Sequence, residues 1–301
     1  MIPLKDLDLD PLPVLDPVER GILWLVAYAS VFSAPVQTSG LASRVVGASA
    51  TEADVLRALK GPSLRARLIE EDGFVCLRSA EAGALIKAAQ RRAGATRALL
   101  DHHREVLAFV KSLPDVRLAA LSGGCAHDAA DDGDIDVFVV TKRNALWRTL
   151  LRSTLISKAR GWRRILCMNY LVDETALALP WRDFYGAFEL ISLRPLGAEQ
   201  GIGPLLDANP WVEPIFPNFL PSRSRGQNPP NQKMESSGGS LLEDAARMIQ
   251  RPYLRYRLPT SAGVELSDHV VRLHTTDHRT RLRGLFQDAL LRIGMEAPPW
   301  I

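Results

Sequence analysis

The sequence predicts an α+β fold, and a few stretches of the chain carry that prediction. The apolar runs 116–121 and 137–140 are typical of buried strands, and a further strand-like run spans residues 165–172. Segments with apolar residues at helical spacing precede and follow these runs. Strands grouped in the middle of the chain, between mainly helical regions, therefore predict an α+β architecture.

The composition is that of a globular protein with free thiols. The 301 residues are 47% hydrophobic and 24% charged, which predicts a sizeable core in two domains or in one domain with appendages. Cys76, Cys125 and Cys167 are widely spaced and form no CxxC pair, as in proteins of reducing compartments. No basic segment precedes the first apolar run, and the run 21–34 is too short to cross a bilayer. We therefore expect a cytoplasmic protein without membrane contact.

After an irregular lead-in over residues 1–16, the pattern predicts a small helical domain that ends in a hairpin. The predicted elements are a helix from Pro17, helices over residues 38–46 and 52–60, and a hairpin over residues 68–77. Thr51 is a suitable N-cap for the third helix, and Asp72-Gly73 suits a tight hairpin turn. Residues 17–80 therefore resemble a winged helix-turn-helix.

DNA recognition by this domain is not favoured by its charge pattern. A recognition helix is usually basic, whereas the third predicted helix, Glu52–Lys60, mixes acidic and basic residues. The domain is equally suited to packing against the rest of the chain. Residues 81–113 follow as connecting helices, with an interruption expected near Gly94.

Two aspartates at the start of the second strand-like run predict a metal site. Asp134-Ile135-Asp136 leads directly into the apolar residues 137–140. Side chains alternate along a strand, so Asp134 and Asp136 should share one face while Ile135 points the other way into a core. Two adjacent carboxylates repel unless a cation lies between them, and a divalent metal ion is the obvious candidate.

A glycine turn just before this strand predicts a phosphate site. Ser122-Gly123-Gly124 follows the first strand-like run, and a turn without Cβ atoms lets backbone N–H groups approach a phosphate. The Ser122 hydroxyl is a further candidate donor. Mg²⁺ prefers one or two carboxylates together with phosphate oxygens and water. The sequence contains no Walker A or GxGxxG motif, and the acidic loop does not fit a calcium-binding loop.

The order of these elements resembles the signature of the DNA polymerase β-like nucleotidyltransferase superfamily. The resemblance covers roughly residues 116–221 and depends on the strand, Gly123-Gly124, the acidic loop and Asp134-Ile135-Asp136. It implies a core with a mixed sheet, a glycine turn that holds the triphosphate, and aspartates that bind Mg²⁺, with Mn²⁺ as an alternative. It also implies an NTP, such as ATP, as co-substrate, with its nucleoside monophosphate moving to a hydroxyl group of an unknown acceptor.

A third carboxylate usually lies on the next strand in this superfamily, and the sequence departs from that pattern. The interior of the strand-like run 165–172 has no acidic residue, and Asn169 occupies its polar position. Asp173, at the end of the run, is the nearest candidate for the third catalytic carboxylate, followed by Glu174. An equally open alternative is that Asp173 only caps a loop.

A basic segment after the aspartates leaves the partner open. Residues 141–170 contain eight basic residues and no acidic one: Lys142, Arg143, Arg148, Arg152, Lys158, Arg160, Arg163 and Arg164. Arg143 or Arg148 is a candidate phosphate contact, but no spacing rule selects among these arginines, and a solvated helix face is the more usual role of any one of them. A protein or tRNA acceptor is a second option. A catalytically weak nucleotide-sensing or DNA-binding regulatory protein is an alternative function.

The remaining chain is predicted to be helical after a linker. The predicted divisions are a lead-in over 1–16, the winged-helix-like domain over 17–80, connecting helices over 81–113, the nucleotidyltransferase core over 114–221, a linker or exposed loop over 222–240 and a helical region over 241–301. Within the last region, helices are expected over residues 241–257 and 266–293. His274 and His278 are interpreted as surface residues, Glu189 and Arg194 as a structural ion pair, and Trp300 as packing back onto the fold.

Overall fold

The N-terminal part of the protein is a group of helices around a small antiparallel sheet. The computed structural model describes residues 14–130, 133–197, 201–219, 241–258, 263–273 and 279–301. Its first elements are α1 (Pro17–Ser30), β1 (Val36–Gln37), a 3-10 turn (Ala42–Arg44), α2 (Glu52–Lys60), α3 (Pro62–Arg65), β2 (Leu68–Glu71) and β3 (Phe74–Leu77). Within these residues the strands lie in the order β1-β3-β2. The hairpin predicted at the end of this part forms between β2 and β3, and β1 adds a third strand beside β3.

Local sequence signals explain this part well, with one exception. Thr51 caps α2 as predicted, because its hydroxyl accepts the Asp54 N–H at 3.2 Å. Asp72 and Gly73 both have positive φ, 52° and 75°, as a tight hairpin turn requires. The helix predicted over residues 38–46 is wrong, because only the 3-10 turn forms. Gly40 and Gly47 bound that segment with φ of 77° and 67°, values that end a helix on both sides.

Two helices connect the N-terminal part to the central sheet. They are α4 (Ala82–His102) and α5 (Arg104–Ser112). The interruption predicted at Gly94 is wrong, since α4 continues through that residue and ends at His102. A single glycine weakens a helix by about 1 kcal/mol but does not end it when the flanking residues favour helix.

A mixed sheet forms the centre of the fold, as predicted. Its strands are β4 (Val116–Leu121), β5 (Ile135–Thr141), β6 (Leu166–Asp173), β7 (Arg194–Pro195), β8 (Val264–Leu266) and β9 (Val270–Leu273). Among the described strands the order is β7-β4-β5-β6-β9-β8, with β5 and β6 parallel and the other neighbours antiparallel. The helices around it are α6 (Gly123–Ala126), α7 (Leu146–Ala159), α8 (Phe184–Ser192), α9 (Gly203–Asp207), α10 (Leu241–Arg257) and α11 (Arg279–Arg292), with 3-10 turns at Trp162–Arg164 and Pro210–Val212.

Alternation along the central strands gives the sheet two apolar faces. Phe138 and Val140 of β5 belong to a core that includes α1, α8 and α11, so the N-terminal and C-terminal parts share one core with the sheet. Val137 and Val139 point to the opposite face, where α5, α7 and α10 cover the sheet. The sheet is therefore buried on both sides.

The C-terminal region differs from its prediction in one element. α10 has the predicted bounds. The helix predicted over 266–293 is confirmed only for Arg279–Arg292, which is α11, because the start of that range belongs to the β8–β9 hairpin, which extends the central sheet beside β6. Trp300 packs onto the fold as expected, edge-on to Trp24 with ring centroids 6.2 Å apart. His274, His278 and the predicted linker lie outside the described residues. The described helices include none that is both long and apolar enough to span a membrane.

A buried glutamate, Glu243, and a partly buried aspartate, Asp115, fix the start of α7. The carboxylate of Glu243, on α10, accepts the backbone N–H groups of Trp147 at 2.7 Å and Arg148 at 2.9 Å. The Arg148 guanidinium in turn donates to both oxygens of Asp115, at 2.9 and 3.0 Å. A helix N-terminus has unpaired N–H groups and a partial positive charge, so both carboxylates stabilise α7 in place.

The Asp115–Arg148 ion pair predicts a pH-dependent contribution to stability. The hydrogen bond from Arg148 lowers the pKa of Asp115 against the opposing effect of burial. A carboxyl with a lowered pKa in the folded state stabilises the fold above its unfolded-state pKa, and this stability is lost as pH falls through the folded-state pKa. At pH 7, Asp115→Asn should therefore lower the free energy of unfolding by about 1–2 kcal/mol.

Urea unfolding at several pH values measures this effect. The difference between wild type and Asp115→Asn should shrink as the pH is lowered below about 4, where carboxyl groups become protonated. Asp101→Asn, at an exposed position on α4, serves as the control and should show little difference at any pH. A difference between Asp115→Asn and wild type that stays constant with pH would contradict the assigned role of the ion pair.

Candidate functional site

The glycine turn and the start of β5 are in direct contact. The Ser122 N–H donates to the backbone oxygen of Asp136 at 3.0 Å, and α6 begins at the next residue. Gly123 has φ of 52°, and a Cβ atom placed on it would lie 2.5 Å from Oδ2 of Asp136. At Gly124 a Cβ would lie 2.8 Å from the backbone oxygen of Ala129. Both positions therefore require glycine, and Gly123 does so because it lies against the Asp136 carboxylate.

The structure brings the two predicted aspartates together beside this turn. Asp134 directly precedes β5 and Asp136 lies on it, and both are partly buried. One ligand atom from each of Asp134, Asp136 and Cys167 lies within 4.8 Å of the others. Cys125, on α6, is fully buried and its thiol donates to the backbone oxygen of Asp134 at 3.4 Å. Contacts with β5 and with the glycine turn therefore position both aspartates.

The neighbouring strand supplies an amide and a thiol to the pair. The parallel register of β5 and β6 places Cys167 opposite Asp136, with an irregularity in the following residues. The Asn169 amide donates to Oδ1 of Asp136 and accepts from the Cys167 thiol at 2.6 Å. Asn169 thus contacts Asp136 from the neighbouring parallel strand.

Asp173 and Arg143 do not reach this cluster, and the roles predicted for them are corrected. Asp173 pairs with Thr141, at the far end of β5 from Asp136. At about 3.3 Å of strand length per residue, Asp173 lies roughly 20 Å from the cluster of Asp134, Asp136 and Cys167. It is fully buried and bonded to His269 Nδ1 at 2.7 Å and the Thr175 N–H at 2.8 Å. The structure therefore agrees with the alternative interpretation, in which Asp173 caps a loop.

Arg143 follows β5 at that same far end. Its backbone N–H donates to Glu174 at 3.0 Å. A residue that continues a strand moves away from the residue that begins it, so neither Arg143 nor Glu174 contacts the turn. Arg148, another member of the basic segment, is held by Asp115 and by the backbone oxygen of Asn144.

A cavity of about 880 Å³ opens at the glycine turn. Gly123, Asp136 and Asn169 lie on one wall, and the opposite walls come from α1, α4, α8 and α11. This volume is within the range of pockets that hold small organic ligands. The charged residues that line the cavity are mainly basic and include the following arginines: Arg44, Arg92, Arg194, Arg272, Arg279 and Arg281.

Ion pairs organise the part of the cavity next to the turn. Arg194 donates to both oxygens of Asp128, at 2.8 and 2.6 Å. His127, directly after α6, has its Nε2 3.4 Å from Glu189, and its ring stacks on Phe188. The ion pair predicted between Glu189 and Arg194 is wrong, because Arg194 pairs with Asp128 and Glu189 lies against His127. Sequence reasoning missed these partners because they are distant along the chain.

Two arginines of the cavity lining, Arg44 and Arg194, both interact with the carboxylate of Asp128. The hydrogen bond from Arg194 to Asp128 raises the pKa of Arg194. Burial, followed by the charge of Arg194, lowers the pKa of nearby Arg44. Two guanidinium groups thus share one carboxylate, and an anionic ligand would reduce their mutual repulsion.

Aromatic rings and guanidinium groups line another wall. Arg272 lies 4.2 Å and Arg279 5.1 Å from the ring centroid of Trp181. Trp181 contacts Tyr170, with centroids 5.6 Å apart, and Tyr170 contacts Phe138 on β5 at 5.2 Å. Arg272 and Arg279 come from a region predicted as a single helix, so the sequence carried no signal for this wall.

The chain was compared with known protein families, with curated proteins and with solved structures. None of these comparisons found a match.

Proposed function

We propose that the protein is a divalent-metal-dependent nucleotidyltransferase, which moves a nucleoside monophosphate from an NTP to a hydroxyl group of an acceptor. The observation that carries this proposal is the contact between Gly123 and the carboxylate of Asp136 at the mouth of a basic cavity. Such a turn leaves room for a triphosphate beside a carboxylate-bound cation.

The donor set fits a divalent cation. Asp134 and Asp136 offer carboxylate oxygens that lie close together, and Gly123 leaves the Asp136 carboxylate uncovered by a side chain. Mg²⁺ takes one or two carboxylates plus phosphate oxygens, and Mn²⁺ accepts the same ligands. When bound, the cation polarises the phosphate that is attacked and stabilises the pyrophosphate leaving group.

The chain's own residues have separate roles in this proposal. Asp134 and Asp136 hold the cation, and the Asn169 amide fixes the orientation of Asp136. Ser122, Gly123 and Gly124 border the triphosphate. Arginines of the cavity attract the anionic substrate and position it for in-line attack by the acceptor hydroxyl.

A nucleotide-sensing protein is the second candidate, and Asn169 is the observation that favours it. A neutral amide contacts Asp136 where a carboxylate is usual in the resembled superfamily. An amide cannot take a proton from an acceptor hydroxyl, so binding without turnover is the expected behaviour of this alternative. The acceptor itself is a small molecule, a protein or a tRNA, and nucleic acid is the less favoured of these.

Isothermal titration of the four NTPs with Mg²⁺ tests the proposal. Wild type should bind at least one NTP, and Asp136→Asn should weaken that binding by about tenfold or more, because an essential negative charge is lost. Asp101→Asn is the charge-matched control and should bind as wild type does. Equal affinity in wild type and in a folded Asp136→Asn variant would contradict the proposal.

Release of pyrophosphate separates the two candidates. The transferase should release pyrophosphate from the bound NTP once acceptor is supplied in a cell extract, whereas the sensor should release none. The salt dependence of binding then indicates the acceptor, since a polyanion such as tRNA releases many more counterions than a mononucleotide.

A further inference from the structure

The thiol of Cys167 lies beside Asp134 and Asp136 and is a third candidate metal ligand. Cys167 is opposite Asp136 in the parallel register of β5 and β6, and residues paired in this way point to the same face. Its sulfur belongs to the group of ligand atoms that lie within 4.8 Å of one another. Cys76 and Cys125 are buried, whereas Cys167 is partly exposed.

The spacing and the surroundings suit metal coordination. Metal–oxygen bonds are about 2.0–2.2 Å and metal–sulfur bonds about 2.3 Å for Zn²⁺, so neighbouring donors of one tetrahedral ion lie roughly 3.5 Å apart. The three ligand atoms lie within 4.8 Å of one another, so a closure of about 1 Å brings all three donors onto one ion. The Asn169 nitrogen donates to Asp136 and orients that carboxylate. The Cys167 thiol donates to the Asn169 oxygen, so metal binding would release the thiol proton to solvent and replace this hydrogen bond with a bond from sulfur to the metal.

We infer that Cys167 is a metal ligand alongside Asp134 and Asp136, and that the site binds thiolate-accepting cations such as Zn²⁺ or Co²⁺ more tightly than Mg²⁺. This inference rests on the proposed function, because it assigns the cation of the same site. Thiolate ligands favour softer cations, whereas Mg²⁺ prefers oxygen ligands to thiols. A carboxylate in place of Cys167 would weaken this preference.

Co²⁺ is the probe, because a thiolate bound to Co²⁺ gives a sulfur-to-metal charge-transfer band in the near ultraviolet. Titration of Co²⁺ into the full chain should produce this band without added nucleotide. Cys167→Ser should abolish the band and weaken Co²⁺ binding by about tenfold or more. Its Mg²⁺ affinity, measured by competition, should change by less than about threefold, since Mg²⁺ does not use the thiol.

Two further variants complete the experiment. Cys76→Ala removes a thiol from a separate apolar cluster and should keep the full band. Cys167→Asp should lose the band and bind Mg²⁺ more tightly than wild type does. Co²⁺ binding by wild type without a charge-transfer band, or equal Co²⁺ affinity in wild type and Cys167→Ser, would overturn the inference.

Failure of this inference is distinguishable from failure of the proposed function. If Mg²⁺-dependent NTP binding is lost in Asp136→Asn but Co²⁺ gives no thiolate band, the aspartate site stands and the thiol is not a ligand. If the thiolate band appears but no NTP binds, the metal site stands and the nucleotidyltransferase proposal fails.

Discussion

Replacement of Gly123 by alanine should abolish metal-dependent nucleotide binding. Its Cβ would lie 2.5 Å from Oδ2 of Asp136, a distance that a carboxylate can only relieve by turning away. That rotation would also break the hydrogen bond from Asn169. The residue has φ of 52°, which adds backbone strain for any residue with a Cβ. We expect NTP affinity to fall by about a hundredfold and the free energy of unfolding by about 2–4 kcal/mol.

Gly161→Ala is the matched control for this substitution. Gly161 also has a positive φ, 75°, but a Cβ placed on it would meet no atom within 4 Å. It should therefore lose about 1–2 kcal/mol of stability from strain alone and keep normal NTP affinity. If Gly123→Ala binds NTP and Mg²⁺ as Gly161→Ala does, the contact with Asp136 has no part in the site.

Among substitutions outside the candidate site, replacement of Glu243 by alanine should give the largest loss of stability. The Glu243 carboxylate is 7% exposed and accepts the N–H groups of Trp147 and Arg148 at the start of α7. Its loss leaves two buried donors without an acceptor and the Arg148 charge with one carboxylate fewer. We expect the free energy of unfolding, measured with urea, to fall by about 3 kcal/mol.

A second acidic residue on α10 provides the comparison. Asp244 is 47% exposed and pairs with Arg247 one turn along the same helix. Asp244→Ala should cost less than about 1 kcal/mol, because exposed ion pairs contribute little. Similar losses in both variants would show that Glu243 does not stabilise α7 in the way described.

Features with local causes could be predicted from the sequence. The turn at Asp72-Gly73, the cap at Thr51 and the shared face of Asp134 and Asp136 each depend on residues within a few positions of one another. Their physical causes are φ preference, a side-chain hydrogen bond and strand alternation. None of these needs knowledge of which strands pair.

Features that depend on strand pairing could not be predicted in the same way. The contact of Asn169 and Cys167 with Asp136 follows from the β5–β6 register and from the irregularity after Cys167. The resemblance assigned Asp173 to the site as the acidic residue nearest to the third strand. Because β5 and β6 are parallel, the end of β6 that carries Asp173 lies beside the end of β5 that carries Thr141, away from Asp136. The basic wall around Trp181 depends on the β8–β9 hairpin, whose apolar residues also fit a helix pattern.

Crystals grown with Mn²⁺ and a non-hydrolysable NTP analogue test the central claim most directly. We expect an anomalous peak for Mn²⁺ between the carboxylates of Asp134 and Asp136, with the triphosphate against Gly123 and Gly124. Crystals of Asp136→Asn grown under the same conditions should lack that peak. Analogue bound elsewhere in the wild type, or bound in the cavity with no Mn²⁺ at the two aspartates, would contradict it.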